Sequence, residues 1–80
     1  MKKYSWQYSI DVVSTKLNMK QIRKEKKIKI SDLEDFFGFS RQALYKWEDV
    51  NKKTLPALEN LYALAGLYEV SIDYLLVRSA

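Results

Sequence analysis

The sequence predicts an all-α domain of five helices with a short extended arm at its N-terminus. Three observations carry this expectation. Apolar residues recur at spacings of three and four along most of the chain after residue 12. Cap and breaker residues, namely Ser31, Gly38, Ser40, Pro56 and Ser71, fall between those stretches. Period-two alternation is confined to the first residues. Eighty residues suffice for one domain with one modest core, and leave no room for a catalytic domain beside a regulatory one.

The arm comes first. Tyr4, Trp6, Tyr8, Ile10 and Val12 alternate with Ser5, Gln7, Ser9 and Asp11, which suits a strand or extended coil. A strand in a helical domain needs a partner, so the arm is expected to pair with another chain. From Val13 to about Lys26, apolar positions Val13, Leu17 or Met19, and Ile22 mark an amphipathic first helix, with cations near its C-terminal end. Lys27 to Ile30 reads as a link. Ser31-Asp32-Leu33-Glu34 has the pattern of a capping box opening the second helix, and Leu33, Phe36 and Phe37 are its expected buried stripe. Gly38 suits a left-handed helix end, because it carries no Cβ. Ser40 is placed to cap the third helix, with Phe39 turned inward and Leu44 and Trp47 on the buried face. Asp49–Thr54 is a polar loop. Pro56 stands at or just before the fourth helix, whose stripe is Leu58, Leu61, Leu64, Ala65 and Tyr68. Ser71 caps a short fifth helix from Ile72 to about Val77.

Composition narrows the chemistry. The chain has no Cys and no His, which removes disulfides, thiolate zinc sites, a cysteine nucleophile and the commonest general base. No cofactor, metal or small-molecule ligand is evident, no two carboxylates form a recognisable catalytic pair, and an enzyme is not expected. Apolar runs are too short to span a membrane, and Met1-Lys2-Lys3 leads into Tyr4-Ser5-Trp6, not into an apolar signal stretch. A small, soluble, cytoplasmic binding module is the expectation. The net charge of +4 is unevenly spread. Residues 16–29 carry Lys16, Lys20, Arg23, Lys24, Lys26, Lys27 and Lys29 against Glu25 alone, residues 30–40 are net −3, and residues 41–53 are net +2. Such basic blocks are the electrostatic footprint of a nucleic-acid binder, or equally of a solvated helix face.

The second and third helices, joined by Gly38-Phe39-Ser40, form a helix-turn-helix pattern. The third bears Arg41-Gln42-Ala43-Leu44-Tyr45-Lys46-Trp47-Glu48. A helix so mounted can enter the major groove, where Arg pairs with guanine and Gln with adenine in bidentate fashion. An ordinary helical hairpin with a solvated polar face fits the periodicity as well.

Met19-Lys20-Gln21-Ile22-Arg23-Lys24-Glu25-Lys26, Leu33, Gly38-Phe39-Ser40-Arg41, Trp47-Glu48, Pro56, Leu58-Glu59-Asn60-Leu61 and Val70-Ser71-Ile72-Asp73-Tyr74-Leu75 together resemble the Cro/CI-type (XRE-type) helix-turn-helix regulators, in register over roughly residues 10–77. The resemblance implies a five-helix, lambda-repressor-like bundle and a bacterial or phage-encoded, nucleoid-associated regulator. Such proteins are commonly repressors that bind double-stranded operator DNA as homodimers. It divides the chain into an arm (1–10), a DNA-binding domain (11–77) and a tail (78–80). It places Arg41, Gln42, Tyr45 and Lys46 at bases, and Lys29, Ser31, Ser40, Asn51, Lys52 and Lys53 at phosphates. It pairs Arg23 with Glu48 as a structural ion pair. Tyr4, Trp6 and Tyr8 of the arm, or Tyr74, Leu75 and Val77 near the C-terminus, are the dimer candidates. The exposed aromatics of the arm also suit an alternative, an antitoxin-like or accessory protein-interaction module. Four features depart from the family pattern. Lys29-Ile30 replaces a Thr-Gln pair, Glu34 stands where a small residue is usual, the loop after Glu48 lacks Gly, and Glu69 replaces a helix-ending Gly. A left-handed Glu69 would cost on the order of 1 kcal/mol.

Overall fold

The computed structural model describes residues 9–79; Tyr4, Trp6 and Tyr8 lie outside them. Five helices follow in order: α1 Val12–Glu25, α2 Ile30–Phe37, α3 Arg41–Glu48, α4 Leu58–Tyr68 and α5 Ile72–Leu75. The core takes Met19 and Ile22 from α1, Ile30 and Leu33 from α2, and Leu44 from α3. Leu61, Leu64, Ala65 and Tyr68 come from α4, and Leu75 from α5.

Asp11 opens α1, its carboxylate accepting the Ser14 amide at 3.0 Å. The inward face of this helix is 15, 16, 19, 22 and 23, so Thr15, Lys16 and Arg23 are buried beside Met19 and Ile22. Val13 and Leu17, expected in the stripe, are about half exposed at 49% and 55%. The reason is what α1 packs against. It meets the C-terminal ends of α3 and α5, where unpaired carbonyls call for donors as well as apolar groups.

α2 starts one residue before Ser31, on a Lys29 N-cap with extended backbone. Asp32 supplies the reach-back, accepting the Lys29 amide at 2.8 Å, so the expected Ser31–Glu34 box does not form. Ile30, read as link, is instead a core residue. Leu33 is buried and Phe37 partly so, whereas Phe36 is 54% exposed. Gly38 ends the helix at φ 74°, ψ 18°, its amide bonded to the Glu34 carbonyl at 2.8 Å. Beyond it, Phe37 stacks on Phe39 with centroids 5.7 Å apart, and Trp47 meets both rings edge-on at 5.1 and 5.8 Å. Phe39 is therefore at the rim of the core, 40% exposed, and not inside it.

Ser40 and Ser71 cap α3 and α5 through bonds from Ala43 (3.2 Å) and Tyr74 (3.1 Å). Pro56 is buried ahead of α4, but Leu58, the first residue of that helix, is 73% exposed and not part of its stripe. α1 and α4 end alike: the amide of Ile28 reaches the Arg23 carbonyl, and that of Val70 reaches Ala65, each at 3.0 Å. This is the Schellman geometry, and it places Lys27 (φ 60°) and Glu69 (φ 59°) in the left-handed region.

α5 stops at Leu75, two residues short of expectation, and the chain then turns extended. Asp11 donates to the Val77 carbonyl, and Ser79 donates to that of Ser9, both at 2.8 Å, forming an antiparallel bridge between Ile10 and Arg78. The extended pairing at Ser9–Asp11 is with the chain's own C-terminal residues. Thr15 adds a bond, its hydroxyl accepting the Val77 amide at 2.9 Å.

Candidate nucleic-acid interface

α3 has two unlike faces. Leu44 is fully buried and Trp47 and Glu48 partly so, whereas Arg41, Gln42, Tyr45 and Lys46 are exposed. Those four sit at i, i+1, i+4 and i+5, on one side of the helix. They form a continuous polar and aromatic strip.

Two cations of α1 fix the far end of this helix. Lys16 is fully buried, and its Nζ donates to the carbonyls of Lys46 (2.8 Å) and Trp47 (3.2 Å). These belong to the last turn of α3, the negative end of its dipole, so an ammonium is well placed there. Burial pushes the Lys16 pKa down, and the Asp49 carboxylate opposes that shift. Of the basic block at 16–29, Lys20, Lys24 and Lys27 are exposed, whereas Lys16 is not.

Arg23 forms the second tie. Its Nε and Nη2 donate to the two carboxylate oxygens of Glu48 at 2.7 and 3.0 Å, a bidentate fork. Its Nη1 donates to the Ile28 carbonyl at 2.9 Å. The two side chains are only 10% and 8% exposed. Hydrogen bonding to Glu48 holds the Arg23 pKa above its ordinary value.

At the opposite end of α3, Arg41 reaches back to α2. Its Nε and Nη2 both donate to Glu34 Oε1, at 3.2 and 2.8 Å, and this pair is exposed, at 55% and 31%. The same carboxylate raises the Arg41 pKa. Lys29 and Ser31 are exposed around the start of α2, and Ser40 at the start of α3. Helix N-termini of this kind present unpaired amides suited to phosphate oxygens. Asn51, Lys52 and Lys53 are exposed in the loop after α3. Asp49 shapes that loop, its side chain accepting the Asn51 amide at 2.9 Å and its carbonyl the Lys52 amide at 3.0 Å.

Of the C-terminal residues, Tyr74 is 62% exposed, but Leu75 is fully buried in its own core, so it cannot serve a subunit contact. Val77 is partly buried, with both its backbone groups bonded. Among the described residues, no three acidic side chains gather as a metal site, and no helix is long and apolar enough to cross a membrane.

Sequence reasoning missed Lys16, Thr15 and Asn18, whose Nδ2 donates to the carbonyls of Tyr74 and Leu75 at 2.9 and 3.0 Å. The available signal was register: Thr15-Met19-Ile22 and Lys16-Met19-Arg23 follow the same helical spacing as the core positions.

Two short helices about a glycine turn, the second with a free polar face and an anchored apolar one, define a helix-turn-helix domain. The helix-turn-helix family model matches residues 19–75, and the chain belongs to that family, of the XRE type. A Bacillus subtilis (strain 168) protein named "Uncharacterized HTH-type transcriptional regulator YobD" is 36% identical over 58 residues, covering 72% of this chain and 50% of that protein. The chain therefore spans about half the length of the curated relative it matches. No solved structure matches it.

Proposed function

We propose that this chain is a sequence-specific double-stranded DNA-binding transcriptional regulator, a repressor that acts as a homodimer on operator DNA in the cytoplasm. The observation that carries the reading is the mounting of α3, with Arg41, Gln42, Tyr45 and Lys46 exposed on a helix locked to α1 through Lys16 and Arg23. A helix held this way can be laid in the major groove without first being ordered.

In this reading Arg41, Gln42 and Lys46 contact base edges, and Tyr45 touches a thymine methyl or the sugar-phosphate. Lys29, Ser31, Ser40, Asn51, Lys52 and Lys53 grip phosphates on either side. Two copies would set their α3 helices about 34 Å apart on successive turns of the duplex. Tyr74, with most of its ring exposed, and the arm residues Tyr4, Trp6 and Tyr8 are the candidates for the subunit contact. A second reading, a protein-interaction module, draws on Leu58 and Tyr62, one turn apart on α4 and 73% and 75% exposed.

DNA retention measured against log salt separates the two readings. The expected result is a steep negative slope for the parent, reduced by about 2 in Lys52→Ala/Lys53→Ala through two lost counterion-releasing contacts. A parent protein that retains no duplex at low salt would contradict the DNA-binding reading and favour the protein partner.

A further inference from the structure

Glu34 stands where the resembled regulators usually carry a small residue, and here its carboxylate pairs with Arg41. We infer that Glu34 is a specificity-determining positioning residue: it holds the Arg41 guanidinium so that the exposed rim reads guanine. The inference rests on the DNA-reading function proposed above and deepens it.

Of the four side chains along the exposed face of α3, only Arg41 is held by a side-chain hydrogen bond among the described residues. The bond is made from one edge of the fork. Nε and Nη2 both donate to the single oxygen Glu34 Oε1, which leaves the two N–H groups of Nη1 and the second of Nη2 unassigned. One N–H of Nη1 and the second of Nη2 form the end-on rim that matches guanine O6 and N7 in bidentate fashion. An arginine held in advance loses less rotamer freedom when it docks.

Stability is a weak competing reason for the pair. Both partners are substantially exposed, a setting in which ion pairs contribute little to folding. Electrostatics gives a second reason to read the pair as a device for discrimination. Arg41 is the first residue of α3, whose first turn carries no acidic residue, so the cation sits at the positive end of the helix dipole. Glu34 supplies the missing carboxylate from the neighbouring helix. A carboxylate beside a DNA-facing surface repels phosphates, so it weakens binding to any sequence. Its compensating effect is to keep Arg41 from leaving the base edge for a phosphate.

The test is selection of bound sites from a randomised duplex pool by the parent, Glu34→Gln, Arg41→Ala, Arg41→Lys and the Glu34→Gln/Arg41→Ala double variant. Total affinity for an unrelated duplex is measured alongside. The parent is expected to require guanine at one position, and Arg41→Ala and Arg41→Lys to abolish that requirement. Glu34→Gln is expected to lower the preference at that position about tenfold, within the range one bidentate contact supplies. Preferences elsewhere stay unchanged, and binding to the unrelated duplex rises. The double variant should select as Arg41→Ala does. Glu34→Gln protein that keeps the full guanine preference, or loses preference equally at all positions, would overturn the inference while leaving the DNA-reading function standing. An Arg41-dependent position that is not guanine would overturn it as well. A parent that selects no sequence would remove the functional reading itself, and the positioning role with it. Circular dichroism and the unfolding midpoint of each variant establish that it is folded.

Discussion

The two ends of α3 are each tied by a cation and a carboxylate, and the two ties lie at opposite depths. Arg23–Glu48 is about nine-tenths buried, bidentate, and accompanied by Lys16 on the last carbonyls of the helix. Glu34–Arg41 is exposed, with both N–H groups on one oxygen. Similar chemistry therefore has different consequences. A buried pair cannot lose one partner without stranding the other in a poor solvent, so it fixes the angle of α3 as strictly as packing does. An exposed pair contributes little to folding, and its role falls on the arginine that faces outward.

The sharpest way to break this contrast is to remove one partner of the buried pair. Glu48→Ala should cost about 3 kcal/mol of unfolding free energy, because Arg23 keeps its charge with only the Ile28 carbonyl for company. Urea denaturation measures it, and a loss no larger than that of Glu34→Ala would erase the distinction drawn here. Next in size is Lys16→Met, which preserves much of the buried stem but leaves the carbonyls of Lys46 and Trp47 without their donor. A loss of about 2 kcal/mol is expected, in the range for bonds to a charged group. DNA binding should weaken along with it, since the α3 end is freed.

The neighbourhood of the buried pair also sets an alkaline limit. Tyr68 is fully buried close to Arg23 and Glu48, and burial raises its pKa well above the ordinary 10.0. Its folded pKa exceeds the unfolded one, so the unfolded chain loses this proton first and stability falls as pH rises past 10. Lys16, with its pKa lowered by burial, has the opposite sign, and comparison with Tyr68→Phe cancels its contribution. The parent should lose about 1 kcal/mol more than Tyr68→Phe between about pH 9 and pH 11, as read from denaturation midpoints. Parallel pH profiles would remove Tyr68 from the account.

The smallest expected effect lies away from α3. Glu69 adopts φ 59° at the end of α4, and Glu69→Gly should raise stability by about 1 kcal/mol by relieving the Cβ clash. An unchanged melting temperature would contradict the strain.

That last position was legible in the sequence, as were Gly38, Ser40 and Ser71, because caps and left-handed ends depend on residues a few positions apart. The strip Arg41, Gln42, Tyr45 and Lys46 was legible for the same reason: helical spacing separates it from Leu44 and Trp47. What stayed hidden depends on distant partners. Lys16, Thr15 and Asn18 meet their partners only when the ends of α3 and α5 are brought against α1. The pairing of Ser9–Asp11 with residues 77–79 joins the ends of the described chain, and alternation reveals a strand without its partner. Glu34 looked like the second half of a cap because Ser31 stands three residues before it. Helix α2 begins earlier, so the carboxylate turns to Arg41 instead.

The claim that joins these observations is that α3 reads base edges through its exposed strip. The most direct test is the ratio of affinities for a selected duplex and an unrelated one, at one fixed salt concentration, for the parent and for Arg41→Ala/Gln42→Ala. The account predicts a parent preference of about a thousandfold or more, reduced at least tenfold in the double variant while binding to the unrelated duplex persists. The same ratio in both proteins would contradict it.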